Sequence, residues 1–223
     1  MSYITTTTSP TTAEVEATGN KEVELKFRLS SSSSEDVYRK WDVSHELHQY
    51  YLKFTTPFCK LYIERFFPEF SPSNWSRIKE ARIRSKTHLT SRQSTYTITL
   101  KSDGGLSRDE FENEINESDF KFLLSNHAES HIHKVRSVLN CATHPPISNK
   151  LVIKDPSAYQ ELNFEFDMFI IPSSCPNLIE LEFDPSKFTR EELTLLTKAH
   201  FGSSIVDVTE DKSYKNAKLA VPI

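Results

Sequence analysis

Charged and apolar residues alternate along several short segments of this 223-residue chain. In the segment 22–28, glutamate, lysine and arginine take every even position, while valine, leucine and phenylalanine take the odd ones. Because side chains two apart on a β-strand leave the same face, this pattern predicts a strand with one charged and one apolar face. Similar segments lie at 81–84, 95–101, 108–115, 133–139, 150–153, 162–170 and 178–183. Most are too close together for repeated helical crossovers, so we predict an antiparallel sheet or barrel.

Three helices are predicted between the strands. The first covers roughly Glu35 to Lys53, where apolar residues recur near helical spacing, and the second covers about Ser118 to Asn126. The third begins at a capping box of Thr189 and Glu192 and ends at Gly202. The fold class expected is therefore α+β, mainly β, with a few supporting helices.

The chain is predicted to form one domain with an extension. Residues 1–20 are rich in Thr and Ser and have no apolar periodicity, which favours a flexible tail. Residues 21–223 are long enough to bury a single core. Three cysteines without a C-x-x-C pair indicate reduced thiols.

Composition excludes several classes of function. Lys and Arg number 27 against 31 Asp and Glu, and this net charge of −4 does not favour DNA binding. The sequence has no apolar run of the roughly 18 residues that a membrane span needs, and its start does not resemble a secretory leader. We expect a cytoplasmic protein without a membrane partner.

The charged strand faces allow two interpretations. One is a solvated outer face with weak cross-strand ion pairs. The other is a barrel whose charged faces point inward and surround a charged ligand. Arg and Lys clusters match phosphate oxygens, and the paired carboxylates Glu22–Glu24 and Glu180–Glu182 suit Mg²⁺ or Mn²⁺.

Several motifs, in order along the chain, resemble the CYTH-domain, or triphosphate tunnel metalloenzyme, superfamily. The stretch 22–26 resembles its E-x-E-x-K signature, and the ending 207–220 resembles its D-V-T-x-D-x-x-Y-x-N-x-x-L-A ending. Between them lie Arg82 and Arg84, Lys101, the R-x-E-x-E of Arg108, Glu110 and Glu112, the K-x-R of Lys134 and Arg136, Asp167, and Glu180 with Glu182.

The resemblance implies an eight-stranded antiparallel barrel that forms a tunnel with a polar interior. It implies that basic residues bind a triphosphate and that carboxylates hold Mg²⁺ or Mn²⁺. The implied substrate-binding residues are Lys26, Arg82, Arg84, Lys101, Arg108, Lys134 and Arg136. The implied metal ligands are Glu22, Glu24, Glu110, Glu180 and Glu182, and Glu22, Glu24 and Lys26 are the implied catalytic residues.

The implied activity is metal-dependent hydrolysis of inorganic triphosphate to diphosphate and phosphate. Nucleoside and thiamine triphosphates are the other expected substrates, and a monomer or homodimer is expected. Two alternatives stay open: an adenylate cyclase and a nucleotide- or polyphosphate-binding module with little turnover. A helical, aromatic-rich insertion at about 31–80 departs from the family pattern and offers a surface on which adenine could stack.

A group of histidines stands apart from these motifs. His131 and His133 share one face of a predicted strand, and His127 and His144 flank them. No cysteine or carboxylate accompanies them at ligand spacing in the sequence, so we do not predict a metal site there.

Overall fold

The computed structural model describes residues 20–29, 42–103, 107–144, 156–202 and 205–223, with the backbone alone at 20–22, 42–43, 107 and 156. Its strands are β1 (Asn20–Leu29), β2 (Asp42–Leu52), β3 (Ile78–His88), β4 (Ser94–Ser102), β5 (Ser107–Glu114), β6 (Ala128–Asn140), β7 (Asn163–Ile171), β8 (Leu178–Glu182), β9 (Ile205–Asp207) and β10 (Val221–Pro222). Its helices are α1 (Pro57–Glu64), α2 (Pro72–Arg77), α3 (Glu117–His127), α4 (Pro156–Gln160), α5 (Arg190–Phe201) and α6 (Asn216–Leu219), with a 3₁₀ turn at Lys212–Tyr214.

Eight of the strands form a closed antiparallel ring. The order around the ring is β6, β2, β3, β4, β5, β1, β8 and β7, and β7 pairs again with β6. Two short strands lie outside the ring: β9 pairs with β1, and β10 pairs with β6. The predicted eight-stranded antiparallel barrel with a few supporting helices is confirmed.

The apolar layer of this barrel lies outside the ring of strands. On one side, Leu25 and Phe27 of β1 share a buried cluster with Leu193 and Leu196 of α5. On another side, the outer faces of β3 and β4 form a second cluster with α1 and α3. Burying each such Leu or Phe side chain contributes about 1.5–3 kcal/mol, which holds the helices against the barrel wall. The charged alternate residues therefore point into the interior.

Two of the three predicted helices are confirmed. The segment predicted at Ser118 to Asn126 lies within α3. The capping box at Thr189 is present before α5, since Thr189 Oγ1 accepts from the Glu192 N–H. The helix ends at Gly202, whose φ of 81° lies in the left-handed region that favours glycine.

The helix predicted from Glu35 to Lys53 is wrong over its described part, which is the strand β2. Along β2, Leu47, Gln49 and Tyr51 are buried and alternate with less buried polar residues. A polar Gln49 within the buried face disguised the period of two. Residues 30–41 and the strand predicted at 150–153 lie outside the described residues, as does the tail up to residue 19.

The described part of the insertion at 31–80 contains β2, α1 and α2. Its residues Phe70 and Trp75 pack on the outside of the barrel, where Phe70 contacts Trp75 and Phe111 at ring separations of 5.4 and 4.6 Å. Phe67 is buried in the same cluster. Within the described part of the chain, no helix has both the length and the apolar character needed to cross a membrane.

Candidate active site

The inward faces of the strands enclose a cavity of about 410 Å³. Charged side chains of both signs form most of its wall, because most of the barrel strands turn their charged alternate residues inward. The cations in this wall are Lys26, Arg82, Arg84, Lys101, Arg108, Arg136 and Lys215. The carboxylates are Glu24, Glu80, Glu110, Glu112, Glu165, Glu180, Glu182 and Asp211.

One ion-pair network lies on β1, β6, β7 and β8. Lys26 donates to Glu180 and lies 3.2 Å from Glu24, and Arg136 Nη2 donates to Glu180 across 2.5 Å. Burial opposes ionisation of Glu180, but Lys134, Lys26 and Arg136 together hold its pKa well below its ordinary value. Glu180 is therefore a fixed anion within the network.

Lys26 remains a cation in this setting. Burial would lower its pKa, but Glu180 and Glu24 raise the pKa above the ordinary value for lysine. Its backbone N–H donates to Thr209 Oγ1 across 3.0 Å, which ties β1 to the C-terminal segment. Lys26 is thus positioned to contribute positive charge to a ligand and cannot act as a base at neutral pH.

A second, looser network lies on β3, β4 and β5. Lys101 Nζ is 2.6 Å from Glu110, and Arg82 Nη2 is 3.4 Å from the same carboxylate. The nearest ion pair of Arg84 joins its Nη2 to Glu112 across 3.9 Å. Burial, and then repulsion from Arg82, lowers the pKa of Arg84. The wall at Arg84 therefore carries positive charge that the protein compensates poorly, as expected of an anion-binding surface.

Glu24 and Glu182 are backbone partners opposite each other on β1 and β8, and both line the cavity. Carboxylates directly opposite each other repel, and a divalent cation relieves that repulsion. Lys26 also lies 3.2 Å from Glu24, and Glu180 and Glu110 each have two or more cations close by. The oxygen donors at Glu24 and Glu182 thus fit a hard cation such as Mg²⁺ or Mn²⁺.

Most of the predicted site residues meet at this cavity. Glu24, Lys26, Arg82, Arg84, Lys101, Arg108, Glu110, Arg136, Glu180 and Glu182 all line it. The backbone of Glu22 pairs with Arg108, but its side chain lies outside the described residues.

Lys134 lies behind the wall of the cavity. Its side chain is fully buried, donates to Asp167 and is 3.8 Å from Glu180. Burial and the neighbouring Arg136 lower its pKa. Lys134 is thus not among the residues that line the cavity, and its closest carboxylates are Asp167 and Glu180.

Sequence reasoning missed several residues of the wall. Gln49 of β2 lines the cavity opposite Arg84, and its Oε1 is buried with no hydrogen-bond partner in the described part of the protein. Lys215 and Asn216 reach the cavity from the C-terminal segment. The family-like ending was a signal for that segment, whereas nothing in the sequence marked Gln49.

An apolar cluster fills another part of the barrel interior. Tyr51, Ile132, Phe169 and Leu178, which belong to four different strands, pack with Val208. Partly buried residues of the C-terminal segment cover this cluster, namely Tyr214, Ala217, Leu219 and Ala220. The charged cavity is therefore bounded on one side by a packed apolar region.

The cysteines do not contribute a nucleophile to this site. Cys59, Cys141 and Cys175 are all free thiols, and burial raises the pKa of each to about 11. Thiols with such pKa values stay protonated at neutral pH. The chemistry of the cavity therefore depends on its charged side chains.

Comparison with known proteins agrees with the sequence motifs. A 128-residue match to the inorganic triphosphatase of Nitrosomonas europaea is 34% identical and covers 57% of this chain and 70% of that protein. The chain belongs to the CYTH, or triphosphate tunnel metalloenzyme, superfamily. A comparison of the sequence with models of known protein families found no match.

Two solved structures also match this CYTH protein over most of its length. The hypothetical protein NE1496 is 24% identical, with 89% of this chain and 96% of that chain covered and a TM-score of 0.44. A putative adenylate cyclase from Vibrio parahaemolyticus is 10% identical, with 90% of this chain and 98% of that chain covered and a TM-score of 0.47.

Proposed function

We propose that this protein hydrolyses the terminal phosphoanhydride bond of inorganic triphosphate with the help of Mg²⁺ or Mn²⁺. The observation that carries the proposal is the charged cavity, in which the poorly compensated Arg84 and the opposed carboxylates Glu24 and Glu182 face one space. The similarity to an inorganic triphosphatase supports the same substrate.

The basic wall accounts for substrate binding. Arg82, Arg84 and Lys101 lie on the adjacent strands β3 and β4, so they form one continuous basic surface. Guanidinium groups bind phosphate oxygens through two parallel hydrogen bonds, and a triphosphate has enough charge to engage several cations at once. A bound triphosphate thus supplies the anion that the Arg84 region lacks.

The carboxylates account for the metal requirement. Glu24 and Glu182 would hold the ion, with Glu22, Glu110 and Glu180 as the further ligands that the motifs imply. When bound, such an ion neutralises phosphate charge and activates water. Lys26 stabilises charge that develops on the phosphate being released, because its pKa keeps it protonated.

The aromatic residues of the described insertion offer no support for adenine binding in the cavity. Phe67 is buried in the outer apolar layer, and Phe70 and Trp75 pack there against Phe111. In the part of the chain that the structure describes, no aromatic side chain lines the cavity. Hydrolysis of a triphosphate that carries no nucleobase is therefore the function that the geometry supports best.

The test is a product assay on metal-free protein. Inorganic triphosphate, ATP and thiamine triphosphate are supplied separately with Mg²⁺ or Mn²⁺, and phosphate, diphosphate and cyclic AMP are measured. We expect phosphate release that prefers inorganic triphosphate and falls at least about 100-fold in a Glu24→Gln/Glu182→Gln variant.

A surface substitution provides the control. Glu161→Gln removes a carboxylate whose side chain is 66% exposed, and it should leave the rate unchanged. Cyclic AMP with diphosphate would instead identify a cyclase. Binding of triphosphate without any product would identify a binding module and contradict the proposal.

A further inference from the structure

A histidine-rich cluster lies on the outer face of the barrel, where β2 pairs with β6. His48 and His133 are directly opposite each other in the register of the two strands. Glu46, two residues before His48, shares their face. The candidate ligand atoms of Glu46, His48 and His133 all lie within 4.8 Å of one another.

The strand β2 is what completes this cluster. In the sequence, no carboxylate accompanies the histidines of β6 at ligand spacing, and the segment containing Glu46 was predicted to be a helix. Once that segment pairs with β6 as a strand, Glu46 Oε1 lies 2.8 Å from His133 Nε2 and 3.6 Å from His48 Nε2. The structure thus supplies the carboxylate that the sequence pattern lacked.

We propose that Glu46, His48 and His133 form a binding site for Zn²⁺ or a similar borderline transition-metal ion. Imidazole nitrogen and carboxylate oxygen are common ligands of zinc, and two histidines with one carboxylate are a known set that leaves a fourth position for water. The same donors do not suit Mg²⁺, which prefers oxygen ligands and several waters.

The separations between donors fit such an ion. Ligands about 2.1 Å from a tetrahedral zinc are roughly 3.4 Å apart, and the two measured separations lie on either side of that value. The imidazole rings of His48 and His133 stack at 4.0 Å with an angle of 17° between them. Binding therefore requires one ring to rotate so that both nitrogen lone pairs converge.

The cluster is accessible to an ion from outside the barrel. The side chains of Glu46, His48 and His133 are 33%, 30% and 17% exposed, which leaves access for an ion. His131 stacks on His48 at 5.8 Å and adds a third imidazole to this face.

This site is separate from the tunnel. Side chains alternate along β2, so Gln49 lines the cavity while His48 faces the opposite side of the strand. On β6, Arg136 likewise lines the cavity while His133 faces outward with Glu46. An ion bound here would fasten β2 to β6 without contacting the substrate.

The experiment is a Zn²⁺ titration of untagged, metal-stripped, full-length protein against a chromophoric chelator, repeated with Co²⁺ to record its visible absorption. His48→Asn, His133→Asn and Glu46→Gln remove one ligand each. His144→Asn is the matched control, since that histidine lies in the loop after β6 and outside the cluster. The Glu24→Gln/Glu182→Gln variant controls for metal in the tunnel.

We expect one Zn²⁺ per chain in the wild type and in both controls, with affinity at least about 100-fold weaker in the two histidine variants. The wild-type Co²⁺ complex should show the intense visible bands of tetrahedral coordination. Equal unfolding midpoints in chelator would show that the variants still fold.

The proposal is overturned if the wild type binds no Zn²⁺, if affinity changes less than threefold in all three ligand variants, or if binding is lost only in the tunnel variant. None of these readouts depends on triphosphate hydrolysis.

Discussion

Arg136 holds Asp167 at two points across β6 and β7, with Nε 2.7 Å from Oδ1 and Nη2 2.7 Å from Oδ2. The same carboxylate accepts from Lys134, whose side chain is completely buried. Asp167 is completely buried behind the wall of the cavity and is therefore the anion that Arg136 and Lys134 share.

Replacing Asp167 by Asn should destabilise the protein strongly. The change leaves Lys134 without its closest carboxylate, and breaking a buried ion pair from one side costs about 3–5 kcal/mol. Urea unfolding followed by circular dichroism measures the effect. Glu161→Gln also breaks an ion pair, with Lys187 on the surface, and should change stability by less than about 1 kcal/mol. Equal effects of the two substitutions would contradict this account.

Arg84→Met should separate activity from stability. We expect kcat/KM for inorganic triphosphate to fall at least about 100-fold, because the variant lacks a fork-shaped donor at the phosphate surface. The free energy of unfolding should fall by no more than about 1 kcal/mol, since the lost cation is buried and poorly paired. Arg65→Met makes the same chemical change at a side chain that is 58% exposed and should leave the rate within about twofold. A large loss of stability in Arg84→Met would show that its charge is structurally required.

His200 should make stability depend on pH below neutrality. Burial, and then the nearby His144, lowers the pKa of His200 to about 4, and its Nε2 pairs with the Tyr159 hydroxyl across 2.9 Å. The pKa of histidine in the unfolded state is near 6.5. At pH values between about 6.5 and about 4, the unfolded state therefore binds the proton and the folded state does not, so stability falls as pH falls. Urea midpoints at pH 7 and pH 5 should differ less in His200→Gln than in the wild type. An unchanged difference would rule out this histidine as a contributor.

Thr189→Ala should destabilise the protein by about 1 kcal/mol, since it removes the side-chain acceptor that caps α5. Thr189→Ser keeps that acceptor and is the matched control. Unfolding by urea distinguishes the two, and equal losses would indicate that methyl packing and not capping is responsible.

The sequence pattern predicted the barrel well where the two faces of a strand differ sharply. In β4, for example, Ile98 and Leu100 are completely buried in the outer layer, while Lys101 faces the tunnel. In β2 the two faces do not differ in this way, because both carry a polar residue: Gln49 lies on the inner face and His48 on the outer one. Without a regular alternation of apolar residues, Leu47 and Tyr51 matched helical spacing equally well.

The candidate site was predictable to the same extent. Alternation along a strand shows which residues share a face, and the family resemblance implied that the charged face, with residues such as Arg84 and Glu182, lines the interior. It does not show depth, so the full burial of Lys134 behind the wall was not foreseen. The contribution of Lys215 depends on the path of the C-terminal segment across the barrel, which no local pattern records.

The inverted arrangement of polar interior and apolar exterior restricts how the barrel strands can pair. A shift of one residue in the pairing of a barrel strand moves every side chain of that strand to the opposite face. For β1 and β8, this shift would press Lys26 and Glu180 into the apolar layer beneath α5, and it would turn Leu25 and Phe27 into the charged cavity. The shifted register is disfavoured twice, because it buries charged side chains and exposes apolar ones. The charges that form the tunnel therefore also disfavour misaligned pairing of the strands.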